Sequence, residues 1–349
     1  MSLENILDNA KKLLPGMRKN YENIFDVAKE GTLKDVTYHV EKKNANVNEK
    51  DSDGWTPLCF AARWNPNVDV LRYLVSRGAD VNVKTNSDET LLHCAAQGNS
   101  NTAIFRFFVS SHGANVNVKD KGGHTPMHDA AGFNLNVECL KFLVSQGSKA
   151  TAKNNEGFTP LHFAAEKNSN VEFLKYLLSQ GADIEAKSDT GMTPLHCAAR
   201  GNKNVEVVKF LISNKAKIEA TCKGKGTPLG YTPKNENPAV AEFLLSKGAD
   251  VNGNPPGFTP IFMATVLGNA AVAKLFISAG ANINAADSTH GTPLHTAVRF
   301  ENIEIAKLLV SAGADVNAVA TFDGMTPLSA AKEQGATEMI KYLSSVGAR

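Results

Sequence analysis

The chain has 349 residues, longer than a typical single globular domain, and its 42% hydrophobic and 21% charged content is that of a folded protein, so a second domain or an extended array is expected. Its 37 basic and 35 acidic residues give a net charge of +2, too even for a global pull toward nucleic acid or an anionic membrane. Five cysteines without a C-x-x-C argue against a disulfide framework or structural zinc and fit a reducing, cytoplasmic setting, while no apolar stretch is long enough for a membrane span or a signal peptide.

Residues 3 to 17, LENILDNAKKLLPGM, place Leu3, Ile6, Leu7, Ala10, Leu13 and Leu14 on one helical face until Pro15 ends the pattern. Residues 1–20 therefore read as an amphipathic helix that caps the remainder of the chain, in preference to a membrane or partner helix.

From there the chain repeats itself. Thr-Pro recurs at Thr56, Thr125, Thr159, Thr193, Thr227, Thr259, Thr292 and Thr326, and Thr90 before Leu91 fills the first gap. Successive spacings are 34, 35, 34, 34, 34, 32, 33 and 34 residues, a period that marks a repeat architecture. In the copy at 193–219, TPLHCAARGNKNVEVVKFLISNKAKIE, Thr193 suits a helix N-cap and Pro194 the first helical position. Leu195, Ala198 and Ala199 form a small apolar face. Asn204 then caps a second helix carrying Val205, Val208, Leu211 and Ile212 at helical spacing. Elsewhere the second helix ends in glycine, as at Gly181 and Gly248, which supplies a left-handed stop. A polar turn such as NNEG (154–157) leads back to Thr-Pro. Each copy reads as helix, turn, helix and a protruding finger. The copy at 227–238, TPLGYTPKNENP, departs from this. Pro233 removes a helical bond to Leu229, so a short or kinked first helix is expected there.

At these residues the chain resembles the ankyrin repeat family. The match rests on Thr-Pro-Leu-His at 159–162, 193–196 and 292–295, on the Ala-Ala pairs, and on GADVN at 78–82, 248–252 and 313–317. Residues 23 to 50 resemble a degenerate opening repeat. The resemblance spans about residues 21–349, with ten repeats starting near 21, 51, 85, 120, 154, 188, 222, 254, 287 and 321. It implies an all-α solenoid of helix-turn-helix repeats with hairpin fingers, stabilised by contacts between neighbours. It also implies partners along the fingers and the inner, concave helices.

The histidines of HTPMHDAA (124–131) raise the question of a catalytic or metal cluster. His128 shares its slot with His93, His162, His196 and His295, and the resemblance implies that this histidine bonds the helix start and the neighbouring finger. His124 lies on the finger, and no glutamate sits between the two as in a zincin motif. Asp129 occupies a slot held elsewhere by Phe60, Cys94, Phe163, Cys197, Met263 or Thr296, so it faces the core and must be hydrogen-bonded, wetted or protonated. Cys94 and Cys197 sit in apolar helix slots, which favours packing over nucleophilic chemistry. KGKGTP (223–228) follows a finger rather than a strand and is weak as a phosphate cradle. The seven lysines and two glutamates of 203–234 read as a solvated face, since no aromatic residue is interleaved at stacking spacing. No enzyme signature, cofactor or metal is expected.

The slot before Thr-Pro holds Trp55, Glu89, His124, Phe158, Met192, Phe258 and Met325, which either anchor a partner or pack on neighbouring fingers. The positions after Ala-Ala include Arg63, Trp64, Phe133, Lys167, Arg200, Leu267 and Phe300, expected on the groove side. Trp55 and Trp64 fall in one repeat and make the preferred hot spot. Lys50, Lys84, Lys119, Lys153 and Lys187 form a ladder at one finger slot. The expected function is a non-enzymatic, monomeric scaffold for partner proteins. The alternative is an effector or regulatory subunit that targets a host or partner enzyme through the same repeats.

Overall fold

The computed structural model describes residues 21–224, 226–253, 259–286 and 289–349. The proposed N-terminal helix and Phe258 lie outside the described residues, as does Lys225 of the KGKGTP run. Two compact halves divide after Lys149.

The first half holds α1 (Ile24–Glu30), α2 (Leu33–Lys42), α3 (Pro57–Trp64), α4 (Val68–Ser76), α5 (Leu91–Gly98), α6 (Thr102–Arg106), α7 (Pro126–Phe133) and α8 (Val137–Ser145). The second holds α9 (Pro160–Lys167), α10 (Val171–Ser179), α11 (Pro194–Gly201), α12 (Val205–Ser213), α13 (Pro228–Tyr231), α14 (Ala239–Ser246), α15 (Pro260–Val266), α16 (Ala270–Ser278), α17 (Pro293–Arg299), α18 (Ile303–Ser311), α19 (Pro327–Gln334) and α20 (Thr337–Ser345). Odd-numbered helices are the inner layer and even-numbered helices the outer one. In each half, inner helices pack on inner helices and outer on outer. The described residues form an all-α array of paired helices without a strand.

Sequence chemistry explains each copy. Ala61, Ala62, Ala95, Ala96, Ala198 and Ala199 are fully buried, so inner helices approach closely. Gly98 permits this as well, since a Cβ there would lie 2.8 Å from the Arg63 carbonyl oxygen. Leucine and phenylalanine fill the space between layers, with Leu71, Leu74, Phe105, Phe108, Phe173 and Leu177 almost inaccessible. The outer helices end at left-handed glycines such as Gly181 (φ 83°) and Gly248 (φ 86°), as their sequence positions lead one to expect.

The Thr-Pro start works differently from a simple cap. The hydroxyl of Thr193 meets Nδ1 of His196 at 2.9 Å, and the Thr193 backbone N–H donates to the same nitrogen at 3.1 Å. An accepting Nδ1 leaves the proton on Nε2, which donates to the Gly226 carbonyl on the next finger at 3.0 Å. His93, His162 and His295 repeat the arrangement toward the carbonyls of His124, Met192 and Met325. Finger tips are joined by backbone bonds, such as Asn86 N–H to Asp53 O at 2.9 Å and Asp189 N–H to Glu156 O at 2.9 Å.

Two copies deviate. In the 35-residue copy, the extra residue is absorbed in the outer helix, which turns from α6 into a π-helical stretch over Phe107–Ser111. In the copy with Pro233, α13 has only 4 residues and continues as a 3-10 turn over Thr232–Lys234. The Leu229 carbonyl, left without a proline N–H, accepts the Thr232 hydroxyl at 2.8 Å.

Candidate protein-binding surface

The C-terminal ends of the inner helices carry the most unusual chemistry. Among the described residues nine large apolar side chains are exposed, and four of them, Trp64, Phe133, Leu267 and Phe300, share the second slot after the small-residue pair. Their exposures are 40%, 45%, 41% and 47%. Trp64 and Phe133 lie in the first half, Leu267 and Phe300 in the second.

In the first half Trp64 belongs to an aromatic cluster. Its ring lies 5.7 Å from that of Trp55 and 5.4 Å from that of Phe60, and Phe60 lies 5.3 Å from Phe25. The Arg63 guanidinium stands 4.8 Å above Trp64 and 5.4 Å above Trp55, and Lys29 Nζ lies 5.4 Å from the Trp64 ring. These cations hold the indoles in place through attraction to their ring faces. The structure thus brings Trp55, Arg63 and Trp64 together, with Phe60 at the centre.

Next along the inner layer, Arg63 Nη1 donates to Gln97 Oε1 at 2.7 Å, and Gln97 Nε2 donates to Glu89 Oε1 at 2.5 Å. Asp120 pairs with His124 Nδ1 at 3.0 Å. The His124 and His128 rings meet edge to face, centroids 6.0 Å apart. Their ring nitrogens face Asp120 and Thr125, and no three His, Cys, Asp or Glu side chains among the described residues are grouped to hold a metal ion. Asp129 is 6% exposed and its Oδ2 has no hydrogen-bond partner. Burial, then the Glu89 and Asp120 carboxylates, push its carboxyl well above the usual range, with Gln97 and Arg63 opposing more weakly.

In the second half Arg200 Nη2 donates to Glu166 Oε2 at 2.9 Å, and Lys167 pairs with Glu166 at 3.2 Å. Phe158 is half-buried, its ring 5.3 Å from that of His162. Met192 is only 5% exposed and packs with Cys197 and Cys222 beneath Phe158 and Tyr231. Met325 is half-buried. In the slot before Thr-Pro, Met192 is thus covered in part by Cys222 of the next copy and the other described large side chains are half-buried, while Trp64, Phe133, Leu267 and Phe300 after the small-residue pair are exposed. Lys50, Lys84, Lys119, Lys153 and Lys187 are all exposed.

Three features escape a reading of the sequence alone. Gln97 follows Ala95-Ala96 at the slot of Arg63, so the same register rule would have pointed to it. Phe60 reads as a core residue, yet it carries the aromatic cluster. The asparagine two residues before the outer-helix cap, Asn65, Asn99, Asn134, Asn202 and Asn235 among them, is a buried tie between copies. Asn99 Nδ2 donates to the carbonyls of Ala62 and Asn65, and Asn202 Nδ2 to those of Ala165 and Asn168. These partners lie one copy away, out of reach of any local rule.

A family model described as ankyrin repeats (three copies) matches residues 24–120, 92–188, 167–255 and 235–320. No curated protein matches the sequence.

Proposed function

The chain belongs to the ankyrin repeat family, and from that premise we propose that it is a non-enzymatic scaffold that binds partner proteins through its fingers and inner-helix ends. Ankyrin repeats are in general protein interaction modules, and the family is typically without enzymatic activity. The observation that carries the reading is the exposed apolar register Trp64, Phe133, Leu267 and Phe300. Aromatic anchors beside arginine are the side chains that dominate binding energy at protein interfaces. Among the described residues no helix is long and apolar enough to cross a membrane. The odd cysteine count supports a reducing, cytoplasmic setting, and the chain is read as a monomer. Delivery to a partner enzyme would use the same surface.

The test is affinity capture with the wild-type chain beside a Trp64→Ala/Phe133→Ala variant and a Leu267→Ala/Phe300→Ala variant, each shown to be folded by circular dichroism. At least one variant should weaken capture of a specific partner by about 30-fold, the effect of a single hot-spot residue. Equal capture by all three proteins would remove this surface from consideration.

A further inference from the structure

The copy with the π-helical stretch also carries a cavity. A recess of about 340 Å³ lies between the finger around Lys84, the start of α5 and the end of the outer helix. Small-molecule sites begin at about 300 Å³, and π-helical stretches are frequent at functional sites. Leu91, Leu92, Phe108 and Val118 give the recess an apolar lining. Its polar lining includes Asn82, Lys84, His112 and Asn115, and no aspartate or glutamate lines it.

The recess lies where other copies have a tie. Asn48 Nδ2 donates to the Gly78 carbonyl at 2.8 Å, and Asn48 Oδ1 accepts the Asp80 N–H at 2.9 Å. Asn117 joins Gly147 and Lys149 in the same way, and Asn252 joins Gly280 and Asn282. Asn82 holds the matching finger position, yet its side chain bonds neither Gly113 nor Asn115, which follow the π-helical stretch. All three residues line the recess instead. Later copies show what else the Asn115 N–H can accept. At the matching positions the Lys217 N–H donates to Glu185 Oε1 at 2.8 Å, and the Asp250 N–H to Glu219 Oε1 at 3.0 Å. A carboxylate thus already fills this place twice in the same protein.

We propose that the recess binds a small carboxylic acid with an apolar body. Its carboxylate accepts the Asn115 N–H, as Glu185 and Glu219 do for their neighbours, and pairs with the Lys84 ammonium. Its body lies against Leu92, Phe108 and Val118. A donor set that holds a cation and lacks an acid favours an anionic head, since hydrogen bonds to a charged acceptor are the stronger ones.

The probe is octanoate, titrated into the full-length chain and followed by saturation-transfer NMR, with octanol and acetate as controls. Octanoate should bind saturably and both controls at least about tenfold more weakly, because each lacks one half of the match. Asn82→Glu supplies the carboxylate from the finger itself and should weaken octanoate binding at least about tenfold. Lys84→Gln, at an exposed position, should weaken it about threefold, and Lys50→Gln, the same finger slot one copy earlier, should leave it unchanged. Octanol binding as tightly as octanoate would overturn the proposal, as would octanoate binding that neither Asn82→Glu nor Lys84→Gln alters.

Discussion

Asn202→Ala should lower the unfolding free energy by about 3 kcal/mol, a large loss for a single polar residue. Asn202 is 3% exposed and makes three hydrogen bonds. Its Nδ2 donates to the carbonyls of Ala165 at 2.9 Å and Asn168 at 2.8 Å, and its Oδ1 accepts the Asn204 N–H at 2.9 Å. Alanine leaves two carbonyls and one N–H without partners in a space too closed for water to replace them all. Asn202→Asp should cost more, because a carboxylate would face those same two carbonyls and could donate to neither while ionised. Asn214, exposed at the end of α12, is the control, and Asn214→Ala should change stability by less than about 0.5 kcal/mol. Urea denaturation followed by circular dichroism measures all three. Equal stability of the Asn202→Ala and Asn214→Ala variants would mean that the asparagine ladder does not tie the copies together.

Acid should loosen the array through its histidines. Burial, against weaker opposition from the backbone carbonyls they bond, holds His162 and His196 down to about 4. In the unfolded chain the same side chains titrate near 6.5. The unfolded chain thus binds more protons between these values, and folding stability falls as the pH drops through that window. Stability is complete above about pH 7, declines below 6.5 and levels off near 4, with a loss on the order of 3 kcal/mol for each of the two. The geometry gives the cause. Nδ1 already accepts the threonine N–H, so a second ring proton would point at a donor. His196→Leu should be less stable than wild type at neutral pH and should lose less on acidification. A parallel pH profile for the two proteins would show that His196 is not buried neutral.

Local chemistry made the fold legible. Thr-Pro marks helix starts because proline fits where no N–H is needed, and glycine marks helix ends because it takes positive φ without strain. Pro233 announced a shortened α13 for the same kind of reason. The features that could not be read depend on neighbours a full copy away. The 35-residue spacing revealed an inserted residue but not that a π-helical stretch at Phe107–Ser111 would absorb it. The sequence left open whether Phe158 and Met192 anchor a partner or pack on a neighbouring finger, because only the stacked finger decides which side chains are covered. Asp129 read as a core-facing acid that must be hydrogen-bonded, wetted or protonated, and in the structure one of its oxygens, Oδ2, has no hydrogen-bond partner.

Partner binding at the inner-helix ends can be tested directly by hydrogen exchange. Exchange would be measured by mass spectrometry on the full-length chain, free and bound to a captured partner. Slowed exchange is expected in the segments around Trp64, Phe133, Leu267 or Phe300 and in the adjoining fingers, with the outer helices unchanged. Slowing confined to outer helices such as Val68–Ser76 and Val137–Ser145, with the inner-helix ends unaltered, would contradict the proposed surface.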